Sequence, residues 1–353
     1  MSTGAPSDTD LVRALEAFPE LVHPVAMPLA GGLIHHTFAV LAADGEYILQ
    51  RVHPLFAPEV HDNIAAVTEH LRRRGVPAPR LLTSTSGQPW ISLGPEGVWR
   101  VMTRLPGVSF ATVQTAAQAR AAGSQVGQFH AALADLDHTF KVVRQTHDTR
   151  SHLATLHAAV GEHTSHRLHA DVAALAAEVF AGHASLPPPG DVPPRVGHGD
   201  LKFNNLLFAG TGPKDQVTPA GIIDLDTVDR MPLHRELGDA WRSWCNRGGE
   251  DQTAATFDLD VFAAAWDGYK SAVPTLPTLA ERRALVHGVE WISLELTARF
   301  AADALRECYF GWDRARYPAA GEHNLVRARG QWALHQATLA TREARAELLL
   351  AGA

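Results

Sequence analysis

The residues HGDLKFNNLLF, 198–208, and GIIDLDTV, 221–228, decide how this chain is read. Leu206 to Phe208 and Gly221 to Leu225 are short apolar runs separated by the turn-rich AGTGPKD, which predicts a β-hairpin. Asp200 falls on the loop just after His198, before the first run. Asn205 closes that loop, and Asp224 sits at the end of the second run. A loop carboxylate placed to accept a hydroxyl proton, and an amide and a carboxylate offering hard oxygens to Mg²⁺, are the parts phosphoryl transfer needs. Alone, Asp200 reads as a helix cap and Asn205 as a turn residue. Jointly, with a second carboxylate after an apolar strand, they point to one site.

Upstream of this segment the chain divides in two. Residues 30–52, AGGLIHHTFAVLAADGEYILQRV, read as strand, Asp44-Gly45 turn and strand, with the first strand entered through Gly31 and Gly32. Val60, Ile64, Val67 and Leu71 recur at helical spacing between Pro58 and Arg74, and Gly75 stops that helix before Pro77 and Pro79. Two further strands are expected around Trp90–Leu93 and Val98–Arg104. From Pro106 the sequence turns Ala-rich and helical, with one helix over residues 115–136 and a second from His152 to Phe180. SLPPPGDVPP is an irregular connector, and the chain is helical again from about Pro232. The expected architecture is α+β: a small β-rich lobe over residues 1–105, with one helix, and a larger helical lobe over 106–353 that carries the hairpin.

Composition narrows the function. The chain has 353 residues, 46% hydrophobic and 20% charged, which is a folded protein rather than a disordered one. Its net charge of -7 gives no Lys/Arg surplus for a phosphate backbone, so nucleic acid is not expected as a partner. Neither a signal peptide nor a run of about 18 apolar residues is present, so no membrane partner is expected. With only Cys245 and Cys308 there is no disulfide framework, and a cytoplasmic protein is expected. Twenty histidines invite a metal reading, yet HExxH is absent and the tightest run, His163, His166 and His169, is expected to be a solvated helix face. No GxxxxGK[ST] occurs either, so a P-loop kinase is not supported.

The HxDxxxxN pattern followed by an apolar strand ending in Asp224 resembles the aminoglycoside phosphotransferase and choline kinase superfamily, which has a protein-kinase-like two-lobe fold. GGLIHHTF, YILQRVHPLFAPEV with DNIAAVTEHL, IIDLDTV with ELGDAWR, and LELTARFAADALRECYF with HNLVRARGQ are similar to its N-acetylhexosamine 1-kinase branch. The resemblance implies an ATP-dependent kinase with Asp200 as catalytic base, and Asn205 and Asp224 as Mg²⁺ ligands beside a further candidate, Asp226. It implies a glycine loop at Gly31 and Gly32 over the phosphates. Adenine would meet the connector that follows the last strand, at Met102, Thr103 and Arg104. His198 and Asp239 would support the catalytic loop.

Three departures bear on function. Where the superfamily has a lysine on the third strand, this chain has Gln50, with Arg51 next; side chains alternate faces, so Arg51 serves only if the strand is bulged. An Asn-Asp pair typical of the sugar-kinase branch is His35-His36 here, making His36 a candidate acceptor contact. The resemblance also implies Arg299 and Tyr309 as sugar contacts, one residue closer together than in that branch. The mixture of Glu295, Asp303 and Glu307 with Arg299 and Arg306 suits a neutral or weakly charged sugar better than a polycationic aminoglycoside. Choline-type or amino-alcohol acceptors remain open through Trp241, Trp244, Trp291 and Trp312. So does a nucleotide-binding pseudokinase without transfer activity, because of Gln50.

Overall fold

The Asp44-Gly45 turn joins two strands whose apolar residues alternate, and the rest of the first lobe is built around this hairpin. The computed structural model describes residues 6–29, 35–142, 147–210 and 217–351; Gly31 and Gly32 lie outside the described residues. The first elements are α1 (Asp8–Glu16), β1 (Val25–Pro28), β2 (His36–Ala42), β3 (Gly45–Val52), α2 (Val60–Arg73), β4 (Ile91–Ser92) and β5 (Val98–Thr103). The five strands form an antiparallel sheet in the order β1-β2-β3-β5-β4. Phe38, Val40, Tyr47, Leu49, Trp99 and Val101 alternate onto one face, where they bury Ala14, Leu15 and Phe18 of α1 and the turn after it. Ala39, Ile48, Gln50, Arg100 and Met102 therefore lie on the opposite face. The helix α1 was not expected, although Ser7 and Asp10 form a capping box that marks its start.

The second region contains α3 (Ala116–Leu133), α4 (Thr149–Glu162), α5 (His169–Ser185), β6 (Pro194–Gly197), β7 (Leu206–Ala209), β8 (Thr218–Ile222), β9 (Asp229–Pro232), α6 (Leu233–Trp244), α7 (Leu259–Ala272), α8 (Leu279–Arg306), α9 (Ala320–Ala340) and α10 (Arg342–Leu350). The chain is thus α+β, with a sheet at the N-terminal end and helices beyond. A Cβ added at Gly123 of α3 would come within 1.9 Å of the Ala265 carbonyl oxygen of α7, so only glycine permits this crossing. Trp241, Trp244 and Trp266 are each 1% exposed and fill the core between these helices. This removes Trp241 and Trp244 from the acceptor candidates.

Three expectations change. The helix expected over His152–Phe180 is two helices, α4 and α5, because the chain turns at His163–Leu168 after Gly161. The histidine run falls in that turn, where His166 Nδ1 accepts from the Leu168 N–H and His169 Nε2 donates to the Val160 carbonyl. Four-residue β6 pairs with β9 at the end of the Pro-rich connector, a ladder too short for periodicity to reveal. Among the described residues no helix is long and apolar enough to cross a membrane.

Candidate active site

The loop that bears Asp200 is held by α6. Glu236 Oε1 and Oε2 accept the N–H groups of His198 and Gly199 at 2.7 and 2.9 Å. Ser243 Oγ accepts the Phe203 N–H at 3.0 Å, and Trp244 Nε1 donates to the Leu201 carbonyl at 2.8 Å. Burial alone would raise the Glu236 carboxyl, but hydrogen bonds from His130 and from the His198 N–H hold it below the ordinary value. The buttress expected at Asp239 is therefore Glu236, one helical turn earlier. Asp239 instead pairs with Arg242 at 2.9 Å.

A second set of bonds ties this loop to the one bearing Asp224. His198 Nδ1 accepts the Asp200 N–H, leaving Nε2–H to donate to the Ile223 carbonyl at 2.9 Å. Thr227 Oγ1 donates to the His198 carbonyl at 2.8 Å, and the Ile223 N–H donates to the Asn205 carbonyl at 3.0 Å. Gly199, at φ +79°, packs so closely that a Cβ would lie 2.5 Å from the Thr227 carbonyl oxygen. The structure thus brings Asp200, Asn205 and Asp224 together, with His198 as the tie between their loops. Asp224 does not end a strand: β8 stops at Ile222, and Asp224 adopts the left-handed conformation at φ 68°, which Asp tolerates better than most residues.

Lys202 sits between the two acids, with Nζ 2.7 Å from Asp200 Oδ2 and 3.9 Å from Asp224 Oδ2. Burial would raise Asp200, but the Lys202 charge and hydrogen bond keep its carboxyl below the ordinary value. Burial and the negative charges of Asp226 and Asp200 push Asp224 upward despite Lys202. A raised acid among like charges is one that a cation would relieve. Asn205 Nδ2 donates to the Asp200 carbonyl at 2.8 Å, which leaves Oδ1 as the amide's free acceptor. An amide oxygen and a crowded carboxylate are hard donors that fit Mg²⁺.

Asp226 and His35 stand beside Asp224 as a geometrically possible metal set. Their hydrogen bonds argue otherwise. His35 Nδ1 accepts the His53 N–H at 3.0 Å, so Nε2 carries the proton and donates to Asp226 Oδ2, also at 3.0 Å. Arg100 grips the same carboxylate through Nη1 and Nη2 at 2.5 and 2.7 Å. Burial would raise Asp226, but Arg100 and His35 hold it well below the ordinary value. In this structure both Asp226 oxygens are engaged by Arg100 and His35, and Asp226 is a salt-bridge residue.

On the nucleotide side, β3 pairs with β2 and β5 residue by residue, with Gln50 opposite Thr37 and Arg100 and with Arg51 opposite His36 and Trp99. The bulge that Arg51 would need is absent, so Arg51 and His36 share the α1 face, away from Asp224. His35, its neighbour, is the one that reaches the site. At the connector, the N–H groups of Thr103 and Arg104 already donate to the Arg80 and Glu46 carbonyls, and Met102 pairs with Ile48.

Of the expected acceptor residues, Arg299 and Tyr309 meet around one ring, and His36 does not join them. The Arg299 guanidinium lies 5.6 Å from the Phe310 centroid, and the Tyr309 ring packs edge-on against Phe310 at 4.7 Å. Glu295 is turned to His147 Nδ1 and Thr149 Oγ1 at 3.0 and 2.7 Å. Asp303 accepts the N–H groups of Cys308, Tyr309 and Phe310 together with Asn324 Nδ2. Glu307 pairs with Arg167, Glu250 with Arg242, and Asp251 with His323 and Arg327.

With this geometry in hand, the chain can be set beside known proteins. An amicoumacin kinase, hAmiN, solved with AMP-PNP, Ca²⁺ and Ami, superposes on this chain with a TM-score of 0.61 at 12% identity, covering 94% of both chains. A microcompartment-associated aminopropanol kinase gives 0.64 at 17% identity, covering 95% of this chain and 98% of the other. A choline/ethanolamine kinase family protein from Mesorhizobium loti gives 0.57 at 15% identity, covering 98% and 99%. These likenesses show the protein-kinase-like fold. The model of the phosphotransferase enzyme family, APH, matches residues 25–272, most of the chain including both site loops, and the chain accordingly belongs to that family and is a phosphotransferase.

Proposed function

We propose that the chain is an ATP-dependent, Mg²⁺-requiring kinase of two lobes, 1–105 and 106–353, that phosphorylates a sugar hydroxyl, of N-acetylhexosamine type at the anomeric position. The observation that carries the acceptor reading is the state of five carboxylates of the helical region. Glu250, Asp251, Glu295, Asp303 and Glu307 all have partners within the protein. A polycationic aminoglycoside needs several unspent carboxylates. Arg299 and Tyr309, flanking Phe310, suit hydroxyl and acetamide oxygens and the face of a sugar ring.

Asp200 orients the acceptor hydroxyl and takes its proton as the oxygen bonds to the γ-phosphorus and the bridging oxygen leaves with ADP. Lys202, held between Asp200 and Asp224, places an ammonium where charge builds on the transferred group. Asn205 and Asp224 would hold Mg²⁺, which when bound neutralises phosphate charge. Glu236 fixes the loop backbone, so Asp200 needs little reorganisation during transfer.

The test is an ATP-consumption screen over hexosamines, neutral hexoses, aminoglycosides and amino alcohols, with product NMR to locate the phosphate. Transfer to an N-acetylhexosamine hydroxyl is expected. Transfer to aminoglycosides alone overturns the sugar reading. The aminopropanol and choline/ethanolamine kinase neighbours make amino alcohols the second class to watch. Nucleotide binding without transfer to any acceptor would favour a pseudokinase.

A further inference from the structure

The β3 position at which a lysine is expected holds Gln50, and its amide is already oriented. Gln50 Oε1 accepts two hydrogen bonds from Arg100, its cross-strand partner on β5, from Nε at 2.9 Å and from Nη2 at 2.7 Å. An amide whose oxygen is consumed by a guanidinium turns its NH₂ the other way. Gln50 Nε2 donates to Thr37 Oγ1 at 3.2 Å, and its second N–H meets no acceptor among the described residues. The far edge of the same guanidinium grips Asp226 in a bidentate pair, and Arg100 and Asp226 are both 2% exposed. One arginine thereby sorts the two acids of Asp224-Leu225-Asp226: Asp226 is spent on it, while Asp224 stays accessible.

We propose that Arg100 is the positioning cation of the phosphate side and stands in for the missing β3 lysine. It presents the Gln50 N–H to the nucleotide phosphates and keeps Asp226 from joining the metal ligands. This rests on the kinase reading above. A lysine at position 50 would then be harmful, because its ammonium would replace the oxygen that Arg100 binds and set two cations together in a buried place.

Three variants, Gln50→Glu, Gln50→Lys and Gln50→Lys/Arg100→Met, test this. The readouts are melting temperature and Mg²⁺–ADP affinity by calorimetry. Arg100→Met is added as the fourth corner, with Mn²⁺ binding followed by electron paramagnetic resonance. Gln50→Glu keeps an acceptor for Arg100, so its melting temperature holds, while ADP affinity falls about tenfold because a carboxylate replaces the N–H. Gln50→Lys loses melting temperature and gains no ADP affinity. The double variant recovers the melting temperature and keeps ADP affinity within about threefold of wild type, the mark of directly coupled residues. Arg100→Met binds Mn²⁺ more tightly without nucleotide, because Asp226 is released. ADP affinity unchanged in Gln50→Glu, tighter ADP binding in Gln50→Lys at unchanged melting temperature, or simple addition of the two single effects in the double variant overturns the proposal. Wild-type protein that binds no Mg²⁺–ADP defeats the kinase reading instead, and the melting-temperature cycle then still decides whether Arg100 and Gln50 act as a pair.

Discussion

The phosphate side of the cleft and the wall around Arg299 are built on different plans. On the phosphate side, two loops are bonded to each other and to α6 through main-chain groups: Glu236 takes two N–H groups, and His198 and Thr227 cross between loops. Around Arg299 the surface proposed for the acceptor is made of side chains from α8 and the segment after it, gathered on Phe310. The first plan ties each loop by several hydrogen bonds and tolerates little change. The second leaves the surface free to vary while the scaffold stays put, as expected when one chemistry serves many acceptors.

The sharpest break is Asp200→Asn, which should lower the transfer rate by about 10²- to 10⁴-fold with nucleotide affinity nearly unchanged, measured by steady-state kinetics and calorimetry. Next is Glu236→Gln: an amide NH₂ would face one of the two backbone N–H groups, costing about 2 kcal/mol of stability, and the turnover rate should fall with it. A protein that lost neither would show that α6 is not the loop's foundation. Arg299→Ala should act on the acceptor side alone, raising the acceptor KM about tenfold and leaving the ATP KM in place. Equal effects on both would erase the contrast between the two regions.

The smallest effect concerns acid. Burial brings His61 and His234 down to about 4 from 6.5. The unfolded chain therefore binds more protons than the folded one between pH 6.5 and 4, so stability falls as pH drops through that window. By pH 5.5 each histidine should have cost about 1 kcal/mol. His61→Asn should flatten the melting-temperature profile there by that amount, while the profile above pH 7 keeps its shape.

Local motifs made the phosphate side legible. Asp200, Asn205 and Asp224 fall within two short segments whose spacing sets their geometry, and Gly75 ended α2 as its composition implied. Contacts across the fold were not legible. Glu236 and Asp239 lie three apart on one helix, and nothing local says which of them faces the catalytic loop. His35 and His36 are adjacent, yet the hairpin register about Asp44-Gly45 pairs His36 with Arg51 and thereby sends both to the α1 face. That register was readable in principle, as was the pairing of Gln50 with Arg100 once β5 was taken as the neighbour of β3. Lys202 carries no local signal of its place, because a lysine two residues after an acid is common on any loop.

Asp303 has a consequence for how such an enzyme changes its trade. A single buried carboxylate receives the main-chain N–H groups of residues 308, 309 and 310 and the Asn324 amide. It works as a socket that accepts any three-residue backbone of the right shape, whatever its side chains. New side chains at 309 and 310 can therefore be tried one at a time, on a fixed mounting, with the phosphate machinery left untouched.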